Sequence, residues 1–338
     1  MLNRYDAATN TAQKLTDITG GLDAALVVIE DCIFAIGGYQ QDRGYTNVDK
    51  FDARKRQWSE CASIAGWRSK HTAVAVAVGE QTVICVCSGS RDGGNSQLDS
   101  CLLYSTREDK WYNLPNLKKA GQSAAAVALP DGRVFVIGGE DGIQRQSTLC
   151  FESISSVEIC HLREPSDWQG PLKSSNVFWR DAAAMLGPRK EHAAVVFRGC
   201  IFIAGGSNGG GQYLSTVDVF SLPDNNRPLG QWSHLANWDM ARPTAALVVW
   251  QNNLFSFIEI FTLPDNQRPL GQWTHLDNWD TARPSAALVV CQDRLFSFVD
   301  FAALAEGPSY LQDLSAGGDR ICSFVPGGVT EAEVPRHV

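Results

Sequence analysis

Six histidines, ten cysteines and a set of loop arginines are the side chains of this 338-residue chain whose chemistry could define a site. The histidines do not assemble into one. His71 and His192 each open an apolar run, while His234 and His275 hold the same place in two copies of one segment. A histidine at a strand start is expected to serve structure. The chain has no Gly-X-Ser-X-Gly elbow, phosphate loop or His-Glu-X-X-His helix, so acyl transfer, phosphoryl transfer and zinc hydrolysis lack their nucleophile, cradle or ligands. The cysteines form no Cys-X-X-Cys pair and share no zinc-type spacing with histidine. Cys32, Cys85, Cys87, Cys200 and Cys291 lie in or beside apolar runs, where a thiol packs as a small hydrophobe. No catalytic residue, metal or cofactor is expected.

What remains is a set suited to binding: Arg43, Arg68, Arg91, Arg145, Arg189, Arg242 and Arg283, with Tyr39, Trp67, Asn95, Asn208 and Tyr213 nearby. A guanidinium fork accepts a carboxylate through two hydrogen bonds, which suits an acidic peptide segment. Trp67 beside Arg68 is the best aromatic anchor, because interface energy concentrates in Trp, Tyr and Arg.

The elements that must position these residues are read from a repeat. Three apolar runs end in a glycine doublet: Ile33 to Gly38, Val134 to Gly139 and Ile201 to Gly206. A worn copy, Val83 to Gly89, fills the gap between the first two, giving a period of about fifty residues. Around each run the same signals recur: an apolar strand, a short turn, the strand ending in glycine, a polar loop, a third strand, then a tryptophan opening a fourth. Phe51 to Trp58 and Tyr104 to Trp111 share that last spacing. Four short strands per unit predict a four-stranded antiparallel blade. Strand alternation gathers the second-to-third and fourth-to-first loops at one end. Arg43, Arg91 and Arg145 fall in the former, and Arg68, Lys118, Lys119, Arg189, Arg242 and Arg283 in the latter. Acidic Asp42, Asp92, Glu140, Asp141 and Glu191 dilute the face. Basic residues still outnumber them there, in a chain whose net charge is −8. That net charge argues against nucleic acid and anionic membranes as partners. Arg189, Arg242 and Arg283 could equally brace a neighbouring blade; Arg43, Arg68 and Arg91 are expected at the ligand.

These residues resemble the kelch motif, with its glycine doublet, later aromatic and tryptophan. The likeness covers roughly residues 1–300, most of all to the propeller of kelch-like (BTB-kelch) proteins. The dipeptides Trp238-Asp239 and Trp279-Asp280 lack the Gly-His partner of WD40 repeats. The expected fold is an all-β, six-bladed kelch propeller over 1–300, followed by an irregular tail over 301–338. Complete units begin near residues 22, 70, 121, 191 and 243. A last blade would join N-terminal strands at 2–6 and 11–17 to C-terminal strands within 284–299, leaving no open sheet edge.

The resemblance implies a protein-binding module that recruits substrates to a cullin-3 ubiquitin ligase, whose cullin is held by a separate BTB domain. No room for that domain precedes the first strand, so the expected role is substrate recognition. An actin-binding cytoskeletal protein is the alternative. A propeller enzyme of the galactose-oxidase type is more remote, since tyrosine, cysteine and histidine do not converge. Reduced thiols, no Asn-X-Ser/Thr and no signal-type N-terminus point to a cytoplasmic protein.

One unit is damaged. Residues 217–257 and 258–298 are identical at 29 of 41 positions, but the copy lacks a glycine doublet and the loop behind it. Phe257 runs straight into Ile258, although antiparallel neighbours need at least a two-residue turn. Blade five must shorten its strands or lose one.

Overall fold

The apolar runs ahead of the glycines become strands buried on both faces, because each lies inside a sheet stacked between two others. Cys32–Ile36, Gln81–Cys87, Arg133–Ile137 and Cys200–Ala204 are buried from their second or third residue to their last. The computed structural model describes residues 23–242, apart from 41–42, 92–95 and 146–147, together with 247–250; of the chain before 23 and after 250 it describes strands alone.

Four sheets repeat one plan of consecutive antiparallel strands. Blade 1 is Ala25–Ile29, Cys32–Ile36, Val48–Asp52 and Gln57–Cys61. Blade 2 is Thr72–Val78, Gln81–Cys87, Cys101–Ser105 and Lys110–Leu114. Blade 3 is Ala125–Ala128, Arg133–Ile137, Val157–His161 and Arg180–Ala182. Blade 4 is Ala193–Phe197, Cys200–Ala204, Leu214–Ser221 and Gln231–Arg242. The first strands pack in succession around a ring. Each of Ala25–Ile29, Thr72–Val78, Ala125–Ala128, Ala193–Phe197, Val248–Trp250 and Ala286–Cys291 touches the next, and the last returns to the first. The fold is a β-propeller.

Side-chain alternation divides each second strand between two neighbours. Ile84 and Val86 pack with Phe34 and Ile36 of blade 1, whereas Val83, Cys85 and Cys87 pack with Val134 and Val136 of blade 3. Phe135 and Ile137 in turn meet Ile201, Ile203 and Phe220 of blade 4. Each such side chain contributes about 1.5–3 kcal/mol by leaving water, so the blade interfaces are the core.

Two polar clasps recur on this apolar base. Trp111 Nε1 donates to Ala62 O at 2.7 Å, Trp179 Nε1 to Pro115 O at 2.8 Å and Trp232 Nε1 to Ala183 O at 2.8 Å. Each acceptor stands four residues after the tryptophan of the preceding blade, so a tryptophan packs and fastens at once. Third-strand aromatics back it, with Phe51–Trp58, Tyr104–Trp111 and Phe220–Trp232 centroids 5.2, 4.9 and 4.9 Å apart.

The glycine doublet forms the other clasp. Gly38 N donates to Arg68 O at 2.9 Å, Gly89 N to Gly121 O at 2.8 Å and Gly139 N to Arg189 O at 2.9 Å, each bond reaching the lead-in of the next blade. The backbone turns left-handed to do this, with φ of 64° and 101° at Gly37 and Gly38. A Cβ at Gly37 would lie 2.9 Å from Arg68 O, and one at Gly138 2.6 Å from Arg189 O. Only glycine allows both the dihedral and the approach. The worn doublet keeps the geometry with a serine, Ser88 at φ 59°.

Blade 3 departs from the plan. Its third and fourth strands are separated by two short helices, Ser166–Gln169 and Ser175–Phe178, that bury Trp168 and Phe178 against the core shared with blade 2.

Blade 5 keeps four strands and shortens them. Val248–Trp250, Asn253–Phe255, Glu259–Thr262 and Gln272–His275 pair in order, with three residues left between the second and third. The second strand spans three residues against five in blade 4.

At the chain ends the structure corrects the expected tail. Residues 301–338 contribute Tyr310–Ser315, Arg320–Val325 and Gly328–Glu333, which continue the sheet begun by Ala286–Cys291 and Arg294–Val299. Gly317, Gly318 and Gly327, expected in linkers, lie outside the described residues. Leu2–Asp6 and Thr11–Thr16 pair with each other, so the place beside Arg294–Val299 belongs to Tyr310–Ser315.

Candidate functional site

Lead-in segments and post-doublet loops meet at one end of the blades. Isolated bridges join Ser69 to Ser90, Gln122 to Glu140 and Lys190 to Ser207, each linking a residue ahead of a first strand to one just past a doublet. The loops past the doublets stand up as hairpins. Tyr39–Gln40 pairs with Arg43–Gly44, Ser90–Arg91 with Ser96–Gln97, and Glu140–Arg145 with Thr148–Ser153. Each closes on the second glycine: Tyr45 N donates to Gly38 O at 3.0 Å, Leu98 N to Gly89 O at 2.8 Å and Ile154 N to Gly139 O at 2.9 Å. Arg43, Arg91 and Arg145 therefore ride on hairpins rooted in the scaffold.

The lead-in arginines are a different matter: the expectation for Arg68 is corrected here, and Arg189 takes the structural one of its two readings. Arg68 is 1 % exposed, with Nη1 donating to Ser88 O at 3.0 Å and Ser100 O at 3.1 Å, and Nη2 to Ser100 Oγ at 2.9 Å. Arg189 is 3 % exposed and donates to Gly205 O at 3.2 Å, Thr216 Oγ1 at 2.9 Å and Asp218 Oδ2. Burial lowers both guanidinium pKa values, offset at Arg189 by the Asp218 carboxylate. Neither side chain faces a ligand; each holds the carbonyl ahead of the second doublet glycine in its own blade. The phase of the repeat carries this signal, since Arg68 and His71 recur with the same spacing as Arg189 and His192, each histidine standing directly ahead of a first strand.

His71 and His192 complete the brace. Their Cε1 atoms lie 3.2 and 3.0 Å from where a Cβ would stand at Gly37 and Gly138. Burial first, and then the adjacent Arg68 or Arg189 charge, pushes both imidazoles down to about 3. They are neutral structural rings.

Other charges of this face are already occupied. Glu140 is buried, accepts from Gln122 Nε2 at 2.8 Å and pairs with Lys190. Lys118 pairs with Asp181 at 2.8 Å. Burial raises the Glu191 pKa, offset in part by Lys190 and Lys70. Asn208 shapes its own loop, its Oδ1 accepting from Gly210 N at 3.0 Å and Gln212 N at 3.1 Å.

Arg43 and Arg91 are exposed, and among the described residues no carboxylate pairs with either. Between them stands Trp67, half-buried and stacked on Tyr39 at 6.0 Å and 24°. Tyr213 is 52 % exposed beyond blade 4. Asn95 and Arg283 lie outside the described residues, while Arg145 and Arg242 are described as strand backbone only. The structure thus brings together Tyr39, Arg43, Trp67 and Arg91. It adds Gly44 and Gly66, which no sequence signal marks.

Seven cysteines among the described residues are free thiols, four of them in the core between blades 2 and 3. No group of three or more His, Cys, Asp or Glu among the described residues could hold a metal ion. No described helix is long and apolar enough to cross a membrane.

The Kelch motif model matches residues 21–64 and 188–237, which contain the doublets at 37–38 and 205–206. The chain is a β-propeller that carries kelch motifs over those residues. It is related to the kelch-like proteins at low identity. Kelch-like protein 23 of Homo sapiens is 23 % identical over 203 residues, 60 % of this chain and 31 % of that protein. Kelch-like protein 33 of Homo sapiens is 27 % identical over 166 residues, 48 % of this chain and 27 % of that protein. The chain spans about a third of the length of these curated relatives. The solved structure of YjhT superimposes with a TM-score of 0.65 and 11 % identity, covering 93 % of this chain and 98 % of that one, a likeness of fold alone.

Proposed function

We propose that this six-bladed propeller binds a partner protein through the end bearing the glycine-rooted hairpins, and that the bound segment is acidic. The observation that carries this reading is the pair of exposed guanidinium groups, Arg43 and Arg91, flanking the Tyr39–Trp67 stack in a chain whose net charge is −8. Exposed arginine forks beside aromatic surface suit carboxylates carried on an extended segment. The deeper arginines stabilise the platform from below. By likeness to the kelch-like proteins, the role is substrate recognition for a cullin-3-type ubiquitin ligase adaptor in the cytoplasm. No catalytic step is assigned to the chain.

The test measures binding of hexaglutamate and hexalysine peptides to the wild-type chain and to an Arg43→Glu/Arg91→Glu variant. Binding of hexaglutamate alone, weakened at least tenfold by the double reversal and by added salt, is the expected result. Equal binding by the double variant would place the site elsewhere. Co-sedimentation of the wild-type chain with actin filaments, unaffected by the reversal, would favour a cytoskeletal role instead.

A further inference from the structure

The segment joining blades 1 and 2 does more than connect them. It carries Gly66, Trp67 and Arg68 in succession, and each touches a different part of the proposed binding face. Arg68 anchors it from below: its carbonyl takes the Gly38 N–H, and its guanidinium is spent on Ser88 and Ser100. Trp67, the next residue outward, lies over Gly44, where a Cβ would fall 1.7 Å from the indole Cδ2. The same ring stacks on Tyr39, the register partner of Gly44. One indole therefore covers both members of the rung that closes the Arg43 hairpin.

On its other side the segment meets the next hairpin. Gly66, at φ +78°, lies against the Arg91 guanidinium, with Nη2 3.1 Å from where a Cβ would stand. A side chain at residue 66 would push that group away. The linker is thus held at one end by a buried arginine and touches the hairpins of both exposed arginines.

We infer that Trp67 is a positioning residue, and that its seat on Gly44 fixes the Arg43 hairpin relative to Arg91 and so sets the spacing of anionic groups that this face accepts. The inference rests on the acidic-segment reading for its ligand but not for its mechanics. A hairpin of two rungs is marginal by itself. Its order must come from what packs on it, and Trp67 supplies that packing. The indole would then act less as a contact for the partner than as the part that presents Arg43.

Amide hydrogen exchange on the full chain tests this directly, since local opening is read residue by residue. Two variants are compared with wild type: Trp67→Ala, which removes the cover, and Gly44→Ala, which forces the ring off its seat. Both should speed exchange at Tyr45 and through 39–44 at least tenfold, while Cys32–Ile36 and Gln81–Cys87 keep their wild-type rates. Hexaglutamate binding should then lose its sensitivity to Arg43→Ala in the Trp67→Ala background. Unchanged exchange in 39–45 in both variants overturns the inference. So does acceleration that extends into the second strands, which would make Trp67 part of the scaffold. Failure of wild type to bind hexaglutamate would sink the acidic-segment reading alone, leaving the exchange result to decide the positioning role.

Discussion

Arg68 and Arg91 both belong to blade 2, and they do opposite work. Arg68 sits at the lead-in to the first strand, sealed from water, with its donors spent on Ser88 and Ser100. Arg91 sits just past the worn doublet, on a hairpin, exposed and resting on Gly66. The difference follows from phase. A position that recurs just ahead of a first strand, as Arg68 and Arg189 do, is available to brace the doublet, and the repeat uses it for that. A position in the loop past the doublet is free of that duty and can differ from blade to blade. Arg189 repeats the buried pattern in blade 4, with Asp218 added.

The largest way to test the buried side of this contrast is pH. The folded chain holds His71 and His192 neutral down to about 3, whereas the unfolded chain protonates them near 6.5. Between those values the unfolded state binds more protons, so stability falls as pH drops from about 6.5 toward about 3; above that window the two rings contribute no pH dependence. At about 1.4 kcal/mol per pKa unit, the two rings together account for several kcal/mol across it. Denaturant unfolding followed from pH 7 to 4 should show a shallower decline in His71→Gln than in wild type. Equal slopes would mean that the ring is solvated or already paired.

Next in size is Trp179, whose indole is fully buried and fastens blade 3 to Pro115 O. Trp179→Ala should cost about 3–5 kcal/mol. A loss below about 1 kcal/mol in urea unfolding would show that the insertion of blade 3, not the tryptophan clasp, holds that interface.

The smallest effect is a gain. Ser88 adopts φ 59°, and its buried hydroxyl has no hydrogen-bond partner among the described residues. Restoring the doublet with Ser88→Gly relieves a strained dihedral and should add about 1 kcal/mol. Destabilisation would show that the serine stiffens the unfolded chain more than it strains the fold.

Much of this architecture was legible in the sequence because it rests on backbone needs that one residue type meets. Gly37, Gly38, Gly138 and Gly139 announce a left-handed turn pressed against the next blade, and Trp58 and Trp111 mark the fourth strand. The shortening of blade 5 was legible for the same reason, since the sequence joins the two copies with no turn residues and the second strand spans only Asn253–Phe255. The site was legible only in part. An arginine ahead of a strand looks alike whether its guanidinium turns inward or outward, so Arg68 is expected at the ligand and Arg189 stays open between ligand and brace. The paired recurrence of His71 and His192 was the signal against it. Gly44 and Gly66 carried no signal, because their role depends on an indole from another loop. The strands of 310–333 were missed because their glycine pairs follow no long apolar run and looked like linkers.

The most direct measurement is urea unfolding of Arg68→Ala and Arg91→Ala side by side, together with wild type. If the lead-in arginine is scaffold and the hairpin arginine is surface, Arg68→Ala loses about 3 kcal/mol through the carbonyls and hydroxyl left unpaired in the core. Arg91→Ala then stays within about 0.5 kcal/mol of wild type. Comparable losses in the two variants, or a stable Arg68→Ala, would contradict the division between clasp and binding face.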